Sequence, residues 1–171
     1  MIDWATIVEQ HGPDVWRTAC RLLSNRDDAN DCYQETFLQA VQYARLHEVA
    51  CWPAVLRKIT TARALDQLRR RYRASSRNEQ LSLATDEPVE QSPAPDALAQ
   101  LREGMEHLRH ALAELPAAQA EVFWLSQVEL LSHADIALQL DSTPEQIALW
   151  LHRAKQKLRW LLASRGVTNE V

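Results

Sequence analysis

Apolar side chains recur at steps of three and four along most of the chain, which predicts an all-α fold. Trp4, Ile7 and Val8 form one apolar face; Gly12-Pro13 interrupts it and allows a new helical start through Val15, Trp16, Ala19, Leu22 and Leu23. Ser24-Asn25 ends that segment. Asp27 is the expected cap of the next, whose inward positions are Ala29, Cys32, Tyr33, Thr36, Phe37, Ala40 and Val41. Trp52-Pro53 opens a third helix, with Val55, Leu56, Ile59 and Ala62 buried first and a rotated strip of Leu65, Leu68 and Tyr72 after them. Leu98, Leu101, Met105, Leu108, Leu112 and Leu115 give the cleanest amphipathic helix, which Pro116 ends before starting another.

The stretch from Ser132 to Leu162 carries two successive helix starts. Ser132 with Asp135 is an acidic variant of the capping box ahead of Ile136, Ala137 and Leu140, and Asp141-Ser142 turns the chain. Thr143 then serves as N-cap, Pro144 as first helical residue, and Gln146 reaches back. Ile147, Leu151, Ala154, Leu158 and Leu161 make one buried stripe, leaving His152, Arg153, Gln156 and Arg159 outside. Such spacing suits a helix-turn-helix and an ordinary helical hairpin alike.

Polar positions sharpen the picture. Asp28, Asp31, Gln34, Glu35, Leu38 and Gln42 share one stripe of the second predicted helix, either a solvated face or a docking face. Neither a nucleophile nor an orienting His accompanies the carboxylates, so catalysis is not expected. Of nineteen Lys and Arg residues, eight fall between Arg57 and Arg77 and five between Arg153 and Arg165, although the net charge is -4. Two anion-binding surfaces on an acidic body follow. Arg69, Arg70, Arg71 and Arg73 surround their helix on several sides, which fits protrusion into solvent or contact with nucleic acid. Residues 74–95, rich in Ser and Pro, read as a linker able to extend ~70 Å.

With 171 residues, the chain has room for one or two small domains. Cys20, Cys32 and Cys51 lack C-x-x-C spacing, so they are expected as core thiols in a reducing compartment. No apolar run approaches the ~20 residues of a membrane span, and a soluble, cytoplasmic protein is expected. Glu103, His107, His110 and Glu114 align on one helix side; a hydrated surface is expected there, with neither metal nor cofactor.

Two sets of residues resemble the bacterial extracytoplasmic-function sigma factors, small two-domain members of the sigma-70 class. Asp28-Ala29-Asn30-Asp31-Cys32-Tyr33-Gln34-Glu35-Thr36-Phe37 is similar to the region 2 core D-A-x-D-x-x-Q-E-x-F, and Leu56 to Arg71 follows its L-x-x-I-A-x-N-x-A-x-D-x-x-R-R. Leu115-Pro116, Val122-Phe123, Leu131-Ser132, Asp135-Ile136-Ala137 and Leu151-His152-Arg153-Ala154-Lys155 resemble region 4.

The resemblance implies a region 2-like domain at 1–73, the linker at 74–95 and a region 4-like helix-turn-helix domain at 96–171. It implies core RNA polymerase docking through Asp28, Asp31, Gln34, Glu35 and Leu38, and −10 contacts from Arg63, Arg69, Arg70, Arg71 and Arg73 beside the loop at Arg45 to Cys51. Thr143, Glu145, Gln146, Leu149, His152, Arg153 and Lys157 are the implied −35 contacts. Partners would be core polymerase and promoter DNA, and the family admits an anti-sigma factor. The chain departs from the family at Thr60 and Ala62, at Leu130 in place of the usual Gly, and at Ala120, Ala148, Leu149 and Trp150, where three common cations are missing. The turn at Leu130 is expected to differ. Outside this reading stand a sigma-like interaction module with weakened promoter reading and a freestanding helix-turn-helix regulator.

Overall fold

The computed structural model describes residues 2–79 and 96–165, which form α1 (Trp4–Leu22), α2 (Arg26–Leu46), α3 (Trp52–Glu79), α4 (Asp96–Glu114), α5 (Ala117–Gln127), α6 (His133–Leu140) and α7 (Pro144–Ser164). Among the described residues there is no strand, and no helix is long and apolar enough to cross a membrane. Residues 74–79 of the segment read as linker continue α3; the rest of it lies outside the described residues.

Helix starts follow side-chain chemistry. Ser132 Oγ accepts from the Asp135 N–H at 3.1 Å, and Thr143 Oγ1 accepts from the Gln146 N–H at 3.2 Å, so both expected caps form. The cap of α2 is Asn25, whose Oδ1 accepts from the Asp27 N–H at 2.7 Å; Asp27 already lies inside the helix. α1 also departs from expectation, running unbroken through Pro13. The ring sits on the exposed side, where water can satisfy the carbonyl it leaves free. Gly12 before it has no Cβ to crowd the ring, and a Cβ there would lie 2.7 Å from the Tyr33 hydroxyl.

α3 is the central element. It packs on α1 and α2 on the N-terminal side and on α4, α5 and α6 on the C-terminal side. Leu22, Cys32, Leu65 and Leu68 therefore share one buried cluster with Leu112, Leu115, Trp124 and Leu158. A second cluster, Val122, Leu125, Ile136, Ala137, Ile147 and Leu151, joins α5, α6 and α7. A third joins Ile7, Val15, Ala40, Leu56 and Ile59, flanked by the edge-on pair Trp4 and Trp52 with centroids 5.1 Å apart. Ala62, expected inside, is exposed, because Thr60 and Thr61 take the buried positions; Thr60 Oγ1 donates to the Leu56 carbonyl at 2.7 Å. Cys51 is likewise exposed, whereas Cys32 is buried. Leu98 and Leu101, on the first turns of α4, also face outward.

Leu130 adopts φ 57°, the left-handed conformation that the usual Gly would take with least strain. The turn closes in spite of the side chain: the Leu131 N–H donates to the Leu125 carbonyl at 3.0 Å while the Leu130 side chain is 81% exposed. Left-handed geometry costs an L-residue roughly 1–2 kcal/mol, and this side chain recovers almost nothing by burial. Leu130→Gly should therefore stabilise the fold by about 0.5–1 kcal/mol after the extra entropy of the unfolded glycine is subtracted. Urea unfolding of the two proteins checks this: the midpoint should rise with an unchanged slope.

Candidate polymerase and nucleic-acid interfaces

Ala29, Cys32, Thr36 and Ala40 are fully buried on α2, which forces the opposite stripe outward. Thr36 Oγ1 donates to the Cys32 carbonyl at 2.7 Å, and Cys32 Sγ approaches the Thr60 carbonyl at 3.8 Å, tying α2 to α3. Asp31, Gln34, Glu35 and Leu38 are consequently exposed, with Asp28 half-buried beside them. Leu38, a large apolar side chain 65% exposed among carboxylates and an amide, has the character of a contact residue. Arg63 reaches this stripe from α3. Its Nε donates to Gln39 Oε1 at 2.8 Å, and its guanidinium lies 4.0 Å from Glu35.

The basic run of α3 does not protrude on all sides. Arg70, Arg71 and Arg73 are exposed, Arg70 paired with Asp66 at 2.8 Å and Arg71 donating to Ser24 Oγ at 3.0 Å. Arg69 is half-buried, with one terminal nitrogen enclosed and unpartnered, because the C-terminal half packs against it. Burial lowers its pKa, against the pull of Asp66. Glu121 on α5 shows the complementary effect: burial raises its carboxyl, while the charges of Lys58 and Arg69 act the other way. Ahead of α3, residues 48–51 border a cavity of about 500 Å³ lined by Tyr43, Val49, Cys51, Val55 and, from α6, Leu138 and Gln139.

On α7, Thr143, Glu145, Leu149, His152 and Arg153 lie exposed on the described surface, and Gln146 is half-buried in the first turn. Lys157 is also exposed but is engaged elsewhere, its Nζ donating to the Glu114 carbonyl at 3.1 Å. Trp150 packs back on the α5–α6–α7 cluster, whereas Trp160 stays 68% exposed. Ala120 is fully buried in the large cluster, so an arginine at this place in the present packing would meet the core and not DNA.

Three polar residues escape a reading by single helices. The Tyr72 hydroxyl donates to Glu106 Oε1 at 2.6 Å, and Arg109 contacts Glu106 Oε2 at 3.2 Å. Burial would raise Glu106, but the Tyr72 hydrogen bond and the Arg109 charge outweigh it and hold the carboxyl below its usual range. Tyr72 is pushed the opposite way, by burial first and then by that carboxylate. Arg109 also donates Nε to the Leu22 carbonyl and a terminal nitrogen to the Arg21 carbonyl, both at 3.1 Å. With Glu121 and Glu129, these residues bridge the halves; their one trace in the sequence is the segregation of cations from carboxylates. His110, expected at a hydrated surface, packs edge-on against Tyr72 with centroids 4.4 Å apart. Among the described residues no group of three or more His, Cys, Asp or Glu could hold a metal ion.

Comparison with known proteins agrees with this architecture. The model of sigma-70 region 2 matches residues 7–74, and that of sigma-70 region 4 matches residues 105–158. The ECF RNA polymerase sigma factor SigE of Mycolicibacterium smegmatis is 32% identical over 97% of this chain, which spans 64% of that protein's length. SigL of Mycobacterium tuberculosis, also an ECF RNA polymerase sigma factor, is 31% identical over 95% of this chain and 90% of its own. Among solved structures, the sigma factor RpoE, crystallised in complex with the anti-sigma factor NepR from Bartonella quintana, has the same fold, with a TM-score of 0.55 and 24% identity over 94% of this chain and 97% of that one. With both regions present in order and near-full-length similarity to SigL, the chain belongs to the extracytoplasmic-function sigma factors of the sigma-70 class.

Proposed function

We propose that this chain is an alternative sigma subunit: it binds core RNA polymerase and directs it to a particular set of promoters. One observation carries the reading. A single folded chain exposes both a polar stripe with an outward leucine on α2 and a capped second helix, α7, with polar side chains on its outer face. A freestanding helix-turn-helix regulator would have no use for the first. Asp28, Asp31, Gln34, Glu35 and Leu38 dock on polymerase; Arg63, Arg69, Arg70, Arg71 and Arg73, with the loop at Arg45 to Cys51, engage the −10 element; Thr143, Glu145, Gln146, Leu149, His152, Arg153 and Lys157 serve the −35 element. Stacking surfaces and backbone cations suit single-stranded DNA. Chemistry belongs to polymerase, so the chain is not itself an enzyme, and it acts inside the cell where polymerase works. An anti-sigma factor is a further partner of this proposal, as RpoE was crystallised with NepR.

Three outcomes are expected. Run-off transcription with purified core polymerase should start at a defined promoter only when this chain is added, and absence of such a start on any promoter tried with active core would remove the proposal. The double variant Asp31→Lys, Glu35→Lys should weaken core binding about tenfold or more while leaving helicity intact, since neither side chain is buried; pull-down and circular dichroism measure the two. Neutralising exposed Arg70 and Arg73 should flatten the log-log salt dependence of promoter binding by up to ~1.8, at ~0.9 per phosphate contact. Fluorescence anisotropy over a salt series reads that slope.

A further inference from the structure

Where the C-terminal half of α3 meets the junction of α4 with α5 and one side of α7, the surface sinks into a cleft of about 780 Å³. Its volume lies within the ~300–1,000 Å³ of small-molecule sites. Arg69 and Arg73 line it from α3 and Lys157 from α7, whereas Glu114 is the one carboxylate among its described lining residues. That carboxylate is already engaged by Arg165, and the Lys157 ammonium donates to the Glu114 main-chain carbonyl at 3.1 Å. Among the described residues, Arg69, Arg73 and Lys157 make no ion pair with any carboxylate. Pro116 and Ala117 open α5 on the same wall, and no side chain caps that helix, so the positive end of its backbone belongs to the cleft. Arg69 has one terminal nitrogen enclosed without an acceptor, and burial disfavours its charge. An anion beside it would offset that cost.

We propose that this cleft is a binding site for a small oligophosphate: a run of two or more phosphates, free or carried by a nucleoside. The guanidinium groups of Arg69 and Arg73 donate to phosphate oxygens from one wall and Lys157 from another, and the first N–H groups of α5 add uncharged donors. A monophosphate, with a charge of about −1.5 to −2, would leave part of this wall unneutralised. A longer phosphate chain matches three cations. Nucleic acid fits less well, because the Lys157 ammonium is held at the Glu114 carbonyl and not on the outer face of α7. With a net charge of -4 the chain as a whole does not attract small anions, so affinity has to arise at the cleft itself. The site goes beyond promoter binding and does not depend on it.

Titration calorimetry of the full chain tests this, with inorganic tripolyphosphate and, separately, ATP in magnesium-free buffer at ~0.15 M salt. Each should bind once per chain with a Kd of about 100 μM or tighter, and sulfate at least about tenfold more weakly. Equal affinities assign free and nucleoside-borne chains alike; tighter binding of ATP assigns a nucleotide as the source, and tighter binding of tripolyphosphate the free anion. Lys157→Gln and Arg73→Gln, both at exposed positions, should each weaken binding about fivefold or more. Arg159→Gln, the same loss of charge at an exposed position of α7 outside the cleft, should change it by less than about twofold. Ala117→Asp is an independent check, because a carboxylate in the first turn of α5 favours the helix but repels the ligand. Its melting temperature should hold or rise while tripolyphosphate affinity falls about tenfold. No heat of binding from either anion at ~1 mM, equal losses at Lys157 and Arg159, or undiminished affinity in the Ala117→Asp variant would each overturn the site. So would binding of a twenty-residue oligothymidylate but of neither small anion, which would assign these cations to nucleic acid. No readout uses polymerase or promoter DNA, so a failure here is distinct from failure to initiate transcription.

Discussion

α3 has more apolar surface than one partner can cover, and the arrangement of the described chain depends on how that surface is buried. Its early positions, Leu56 and Ile59, belong to the cluster around α1 and α2; Leu65 and Leu68, further along, belong to the cluster that also holds Leu112 and Trp124. A fully buried leucine contributes roughly 1.5–3 kcal/mol, against about 0–1 kcal/mol for an exposed ion pair. Apolar burial therefore supplies the strength of the seam. The polar contacts of Thr18, Tyr72 and Arg109 define its register, because each fixes a donor on a particular acceptor.

The seam also contains opposition. Arg69 and Glu121 are both disfavoured in their charged forms by the burial that the closed packing imposes. The contact thus combines apolar gain with ionic cost, since burial removes solvation from both charges. Adjacent elements carry no such tension: the α2 stripe rests on fully buried Ala29, Cys32, Thr36 and Ala40, and α7 rests on a continuous apolar stripe. Two of the proposed surfaces are thus backed by apolar packing, whereas on α3 Arg69 is half-buried and Arg70, Arg71 and Arg73 stay exposed.

Local chemistry made much of this legible. Ser132 and Thr143 cap as read, because a hydroxyl ahead of an orphan N–H acts over three residues and needs no tertiary context. The stripe of α7 from Ile147 to Leu161 is buried as its period requires. Pro13 misled because its cost depends on which side of α1 the ring occupies and on the small residue before it. Ala62 misled because two buried threonines can return their hydroxyl needs to the preceding turn, or leave them unmet, as Thr61 does. The burial of Arg69, Ala120 and His110 was beyond reach, since it arises from helices far apart in the chain brought together. Stripe membership could be read; what covers a stripe could not.

The three cysteines now differ in chemical character. Burial pushes the Cys32 thiol up to about 12, which leaves almost no thiolate at neutral pH, and burial raises half-buried Cys20 as well. Cys51 is exposed at the rim of the cavity that α6 borders. A maleimide offered to the folded chain meets one readily accessible sulfur, and it stands where the two halves face each other. The native sequence thus carries its own attachment point for a reporter of their separation, with no engineered residue required.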